Sequence, residues 1–160
     1  MTEHTQQRGA GYFVGGGVVA GLIAGMVMAI VVMMVTAFSG MGLFAGPEMI
    51  GQTLLRGQSG AGVTVVGLMV HMMNSAIFGI IWGLIWRGIA KAGGTAVIGG
   101  VVYGLVIWLV MTYAVLPILS SPVPGPILPV AWAMAHLMFG LVLGLWPALQ
   151  SRPFTALSHA

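Results

Sequence analysis

The sequence predicts an all-α membrane protein with four transmembrane helices, and two observations carry that prediction. The chain has 160 residues, of which 59% are hydrophobic and 4% are charged, and its mean hydropathy is +1.07. A soluble domain of this size could not cover so much apolar surface. The second observation is a set of four apolar runs without Asp, Glu, Lys or Arg, at about residues 12–38, 63–86, 95–119 and 128–149. Each run can cross a hydrocarbon core of ~30 Å at ~1.5 Å per residue.

The first run has two interpretations. Ala37-Phe38-Ser39 has the small-x-small form of a signal-peptide cleavage site. The apolar stretch before it is much longer than the ~7–15 residues of a signal-peptide core, so we interpret it as a retained helix. We therefore expect a single four-span bundle over residues 1–160.

The connection between the first two runs contains a short helix signal. Gly46-Pro47-Glu48 is typical of a helix start and Arg56-Gly57 of a helix end. We predict a helix at about residues 47–56 that lies in the interface plane, with Met49, Ile50 and Leu54 on one side. It caps the bundle or, alternatively, acts as a lid over a site.

The remaining connections set the order and direction of the spans. Only a short Gly-rich turn separates the second and third runs, which predicts antiparallel neighbours. The cations near the span ends are unequal: Arg8, Arg87, Lys91 and Arg152 fall on one side, and Arg56, offset by Glu48, falls on the other. The positive-inside rule then places both termini in the cytoplasm.

Small residues recur at every fourth position along all four spans, which keeps them on one helix face. The predicted packing residues are Gly17, Gly21 and Gly25 in the first span; Gly67, Ser75, Gly79 and Gly83 in the second; Gly100 and Gly104 in the third; and Gly140 and Gly144 in the fourth. Such stripes let neighbouring helices approach closely.

The two halves of the chain resemble each other, which indicates a duplicated helix hairpin. The segment from Gly21 to Gly25 matches the segment from Gly100 to Gly104, and Phe78-Gly79 matches Phe139-Gly140. In this alignment His136 corresponds to Ser75. Two copies of a two-span unit insert in the same orientation and form a parallel repeat.

His71 and His136 are the ionisable side chains inside the predicted spans, apart from tyrosine, and both belong to small-residue stripes. Because the second and fourth spans run in the same direction, the two imidazoles should lie at a similar level. They could ligate one haem b from opposite sides, or one of them could bind a chlorin or a quinone headgroup. The alternative is packing, in which each ring donates to a backbone carbonyl or to Ser75, Asn74 or Thr112.

Other kinds of chemistry find little support. The chain has no cysteine, its acids are Glu3 and Glu48, and it carries no basic stripe with interleaved aromatics. We therefore expect no enzyme, no metal site and no nucleic-acid partner. Most of the tryptophans suit interface belts or lipid-facing packing; they are Trp82, Trp86, Trp108, Trp132 and Trp146.

The segment from Ala135 to Gly144, with the pattern His-x-x-aromatic-Gly-x-x-x-Gly, resembles segments of several families of small, uncharacterised four-helix bacterial inner-membrane proteins. That resemblance implies the architecture and a bacterial inner membrane, and it transfers no catalytic residue.

From this profile we predict a small, non-catalytic accessory subunit of a larger bacterial membrane complex, in respiratory or photosynthetic electron transfer. Its partners would be the lipid bilayer and other membrane subunits or a second copy of itself. One alternative is a membrane protein that binds haem b or chlorin through His71 and His136. A second is a homo-oligomeric pore or carrier for a neutral solute, lined by glycine faces.

Overall fold

The structure is a computed structural model that describes residues 9–91, 95–123 and 129–150. Within these residues the chain forms five helices: α1 (Ala10–Phe38), α2 (Ala45–Leu54), α3 (Ala61–Lys91), α4 (Ala96–Ile118) and α5 (Pro129–Gln150). Arg8 and Arg152, which entered the sequence predictions, lie outside the described residues.

The four predicted spans are confirmed as long apolar helices. In the described part of the chain, four segments have the length and composition to cross a membrane: Ala10–Phe38, Ala61–Gly88, Ala96–Ile118 and Pro129–Pro147. Their outward faces carry large apolar side chains such as Met69 and Ile98, which are 67% and 66% exposed. Such a surface is stable only against lipid tails, so this is a multi-pass membrane protein in contact with the bilayer.

Glycines bring α1 and α3 into direct backbone contact. Gly17 and Gly21 of α1 face Ser75 and Gly79 of α3, and a Cβ added to Gly79 would lie 2.7 Å from the Cα of Gly21. Further along the same crossing, Gly83 abuts the carbonyl of Phe13. No side chain larger than hydrogen fits at these glycine positions, which explains why the sequence repeats glycine every fourth residue.

A second crossing joins α4 and α5 in the same manner. Gly100 faces Gly140 and Gly144, and a Cβ added to Gly100 would lie 2.7 Å from the Cα of Gly144. Gly104 abuts the carbonyl of His136, as Gly21 abuts the carbonyl of Ser75. In these contacts Gly21 corresponds to Gly104, whereas the sequence alignment matched Gly21 with Gly100, one helical turn away.

Helix α2 packs on the beginning of α3 through two further glycines. Gly51 lies against the carbonyl of Val63, and Gly67 lies against the carbonyl of Pro47. Gly67 therefore packs against the short helix and not against another span. Glu48 accepts a hydrogen bond from the backbone N–H of Gly60 at 2.7 Å and so closes the connection between α2 and α3.

The two glycine-packed pairs join mainly through α1 and α5, whereas α3 and α4 contact each other only sparsely. Two hydrogen bonds tie α3 to the other pair: Trp82 Nε1 donates to the carbonyl of Leu143 at 3.0 Å, and Tyr103 donates to the carbonyl of Phe78 at 2.9 Å. The prediction that the tryptophans lie in interface belts or face lipid is wrong for Trp82 and Trp132, which are 2% and 6% exposed. Each is buried because its indole N–H finds an acceptor inside the bundle.

Helix α4 widens near its end into a π-helical segment, Met111–Val115. Pro117 follows this segment and lacks the N–H that would bond to the carbonyl of Tyr113. The helix accommodates the proline by a local change of pitch, and single π-helical turns of this kind are frequent at functional sites.

Candidate functional site

A cavity of about 390 Å³ lies at the end of the bundle where α2 packs, and residues of all five helices line it. Its walls are mostly apolar and include Met28 of α1, Ile50 of α2, Phe78 of α3, Ile107 of α4 and Phe139 of α5. The π-helical segment contributes Met111 and Val115. Since α3 and α4 contact each other sparsely, the space between them forms part of this cavity.

His71 lines the cavity from α3, and its position is fixed by α1. Its Nε2 lies 2.9 Å from the carbonyl oxygen of Gly25. A carbonyl oxygen can only accept, so Nε2 carries a proton and donates this hydrogen bond. In a neutral imidazole the other nitrogen, Nδ1, is then a bare acceptor.

His136 lines the cavity from α5 and is 4% exposed. Its Nδ1 donates a hydrogen bond to the carbonyl oxygen of Trp132, one turn earlier in the same helix, at 2.9 Å. The indole of Trp132 lies edge-to-face against the imidazole, with ring centroids 4.8 Å apart. In the neutral ring Nε2 is the bare acceptor, so each histidine offers one lone pair.

The structure brings both sequence-predicted histidines to one cavity and gives them backbone partners. Two of the alternative partners named from the sequence, Ser75 and Thr112, have other roles. Ser75 donates to the carbonyl of His71 at 2.8 Å. The hydroxyl of Thr112 accepts from Trp132 Nε1 at 3.2 Å. Both imidazoles are thus held by main-chain carbonyls, which leaves their second nitrogens uncommitted within the described residues.

Asn74 adds an amide to the same cavity. It lies three residues after His71 on α3 and therefore shares its helix face. Within the described residues its side chain makes no hydrogen bond. Sequence reasoning treated Asn74 only as a partner for histidine. The available signal was its position, since a polar amide in the middle of a span needs a partner in the protein or in a ligand.

The rim of the cavity combines α2 with the end of α4. Thr53 and Ser121 share a hydrogen bond between their hydroxyls at 2.7 Å, and Arg56 Nη2 donates to the carbonyl of Leu119 at 2.9 Å. Three residues of the lining are exposed: Leu54 of α2, Met73 of α3 and Leu119 just after α4, which are 59%, 56% and 41% exposed. Met73 lies inside a candidate membrane span, whereas Leu54 and Leu119 lie outside the spans, at the end of the bundle.

The polar groups of the cavity do not form a metal centre of the usual size. Among the described residues, no group of three or more His, Cys, Asp or Glu side chains could hold a metal ion. For haem the two histidines differ. His136 has the Nδ1-bonded tautomer typical of an Nε2 ligand, whereas Nε2 of His71 is already bonded to Gly25. Axial ligation through both Nε2 atoms would require His71 to leave that carbonyl.

The fold and the cavity together define a class: a small multi-pass membrane protein with a histidine-lined apolar cavity inside a glycine-packed helix bundle. The family model DUF6789, described as a family of unknown function, matches residues 13–154, and the chain belongs to this family. Comparisons with curated proteins and with solved structures find no match.

Proposed function

We propose that this protein holds a neutral, lipid-soluble small molecule in the cavity between α3 and α4, and that it does so without chemical conversion. The single observation that carries the proposal is the cavity itself, with apolar walls and a few polar groups, His71, Asn74 and His136. Sites for small molecules characteristically have this composition and a volume of ~300–1,000 Å³.

The exposed position of Met73 inside a span supports a ligand that arrives through the bilayer. A molecule dissolved in the hydrocarbon layer can reach the cavity past Met73 without crossing water. The cavity lining contains no Lys, Arg, Asp or Glu among the described residues, so a charged ligand would find no counter-ion there. The ligand that fits these walls is therefore neutral.

The residues around the cavity support binding and not catalysis. Ser75 donates to a backbone carbonyl, and each histidine donates to another carbonyl. Within the described residues of the lining there is no carboxylate to orient an imidazole toward a hydroxyl nucleophile. That the protein is not an enzyme stays a prediction.

Photo-crosslinking tests this proposal in the reconstituted full-length protein. The probe is an alkylphenol with a diazirine in its alkyl tail, and mass spectrometry maps the labelled residues. The variant Ile107→Trp fills the cavity, because Ile107 lines it and is 6% exposed. The matched control Val102→Trp places the same side chain on the lipid face of α4, where Val102 is 54% exposed.

We expect labelling of cavity residues such as Met111 in the wild type and in the control, and its loss in Ile107→Trp. Labelling confined to lipid-facing residues, or equal in all three proteins, would refute the proposal. If Ile107→Trp does not elute as a monodisperse species, Met111→Trp fills the same space from the half-buried part of α4.

Haem or chlorin binding is the second candidate, because the two imidazoles line one cavity. It requires coloured protein. A Soret band that follows the purified chain and disappears in both His71→Ala and His136→Ala would favour it over a colourless ligand.

The accessory-subunit and pore hypotheses remain predictions, and so does a role in electron transfer. The accessory-subunit hypothesis relied on glycine faces that could meet partner helices, and the pore hypothesis relied on glycine faces that could line a pore. The glycines at the two crossings instead contact each other inside the chain. What remains outside is a surface of large apolar side chains, which lipid tails can contact equally well.

We further propose a bacterial inner membrane location with both termini in the cytoplasm. Arg87 and Lys91 at the end of α3 support this orientation, with Arg56 and Glu48 on the opposite side. The shared register of the two glycine crossings supports the duplicated hairpin, because Gly21 meets the Ser75 carbonyl as Gly104 meets the His136 carbonyl.

A further inference from the structure

We infer that the cavity selects ligands that donate a hydrogen bond, such as phenols, quinols and long-chain alcohols, over ligands of the same shape that only accept. This inference rests on the proposed function and names the ligand class for the same cavity.

The main chain fixes the position of the ring proton in both histidines. Each ring has one nitrogen bonded to a backbone carbonyl, Nε2 of His71 to Gly25 and Nδ1 of His136 to Trp132, both at 2.9 Å. Carbonyls accept and never donate, so these two nitrogens must hold the ring protons. The tautomers are therefore opposite, and both are set by the main chain.

Both imidazoles are neutral in this cavity. A cationic imidazole in an apolar cavity needs a compensating anion. The only carboxylate in the described residues is Glu48, which bonds to the N–H of Gly60 and does not line the cavity. The neutral form is thus the one that this environment tolerates, and both remaining nitrogens are acceptors without a proton.

The histidines offer a ligand hydrogen-bond acceptors and no donors. The two bare nitrogens offer two acceptors and no donor. In the described residues, the fully buried side-chain nitrogens and oxygens that lack a hydrogen-bond partner are the indole nitrogens of Trp108 and Trp146. The bare histidine nitrogens are not among these buried atoms, so they are accessible to a small molecule. A ligand that only accepts would leave both lone pairs unsatisfied in a desolvated site, which costs binding free energy.

Asn74 does not reverse this preference. Its amide can both donate and accept, so it serves a hydroxyl and an ether or ketone oxygen alike. The discrimination between donor and acceptor ligands therefore comes from the histidines. A quinol should bind more tightly than its quinone, and an alcohol more tightly than its ether.

The test uses 4-nonylphenol and 4-nonylanisole, which share a ring and a tail and differ by a hydroxyl against a methyl ether. Each competes with the diazirine alkylphenol probe for wild-type protein in liposomes, with concentrations expressed as mole fractions in the bilayer. One hydrogen bond of typical strength corresponds to a preference of about fivefold, and we expect the phenol to compete more strongly by that factor.

The variants His136→Phe and His71→Phe remove one bare nitrogen each and keep a ring in the cavity. We expect the phenol preference to fall about twofold in each variant and to reach about one in the double variant, while the ether competes no less well than in wild type. The preference is a ratio within one protein, so a partial loss of folded protein does not change it. A histidine that only packs would weaken both compounds together.

The outcomes separate the two proposals. If neither compound displaces the probe from the cavity, the proposed function fails. If both displace it equally in wild type, the cavity binds ligands and the donor selectivity is wrong. A phenol preference that persists in the double variant also overturns the inference, because the histidines would not be its source.

Discussion

The Nε2 atom of His71 lies 2.9 Å from the carbonyl oxygen of Gly25, on the face of α1 that packs against Ser75. Gly25 of α1 thus contributes to both the helix crossing and the cavity. Its missing side chain admits Ser75, and its carbonyl orients the imidazole. The glycine stripe and the histidine belong to one arrangement, so a change in the crossing should change the cavity.

The variant Gly25→Ala tests this coupling. A Cβ at Gly25 would collide with the side chain of Ser75 and would lie 3.7 Å from Nε2 of His71. We expect a loss of about 1–3 kcal/mol of stability, typical of overpacking, together with reduced cavity labelling by the alkylphenol probe.

The matched control is Gly15→Ala in the same helix, where an added Cβ meets no atom within 4 Å. Alanine forms helix better than glycine, so this variant should be as stable as wild type or more so. Melting in detergent and probe labelling measure the two effects. Equal melting and equal probe labelling of the two variants would show that the cavity does not depend on the helix crossing.

The hydrogen bond from Tyr103 to the carbonyl of Phe78 should hold α4 against α3, because these helices touch sparsely. We expect Tyr103→Phe to lower stability by about 1 kcal/mol. Tyr113→Phe removes the same hydroxyl from a 70% exposed residue of the same helix and should have no effect. Melting curves of the two variants give the comparison, and an equal loss in both would contradict this role for Tyr103.

Helix α2 should control exchange of the cavity ligand, since the Thr53 hydroxyl pairs with Ser121 across the rim. We expect Thr53→Val to speed probe dissociation about two- to tenfold, the range for the loss of one hydrogen bond. Thr64→Val is the control, because the Thr64 hydroxyl bonds within its own helix end, to the carbonyl of Gly60. An unchanged dissociation rate in Thr53→Val would show that α2 only caps the bundle.

The proposed orientation can be measured without removing native thiols, because the chain has no cysteine. Ser59→Cys lies in the exposed connection after α2, and Gly88→Cys lies at the exposed far end of the second span. We expect a membrane-impermeant maleimide to label Ser59→Cys in intact cells and Gly88→Cys only after permeabilisation. The reverse pattern would place both termini outside.

The sequence predicted the spans well because each physical requirement there is local. An uninterrupted apolar run must cross as a helix in lipid, and small residues at a spacing of four mark the face where backbones meet. The two histidines could also be selected from the sequence, as His71 and His136 are the imidazoles inside the spans.

The cavity could not be predicted from the sequence, because it exists where two helices, α3 and α4, do not pack closely. The short connection between the second and third spans predicted antiparallel neighbours. In the structure these spans, α3 and α4, contact each other sparsely, and the cavity occupies part of the space between them. The buried positions of Trp82 and Trp132 were missed for a related reason. Each indole N–H bonds to an acceptor on another helix: Trp82 to the carbonyl of Leu143 and Trp132 to the hydroxyl of Thr112.

Native mass spectrometry of the protein extracted with its own membrane tests the central claim most directly. We predict that wild type and Val102→Trp carry one neutral small-molecule adduct per chain, and that Ile107→Trp loses it. An adduct of equal occupancy in Ile107→Trp, or a wild-type chain that carries none, would contradict the assignment of this cavity as a ligand site.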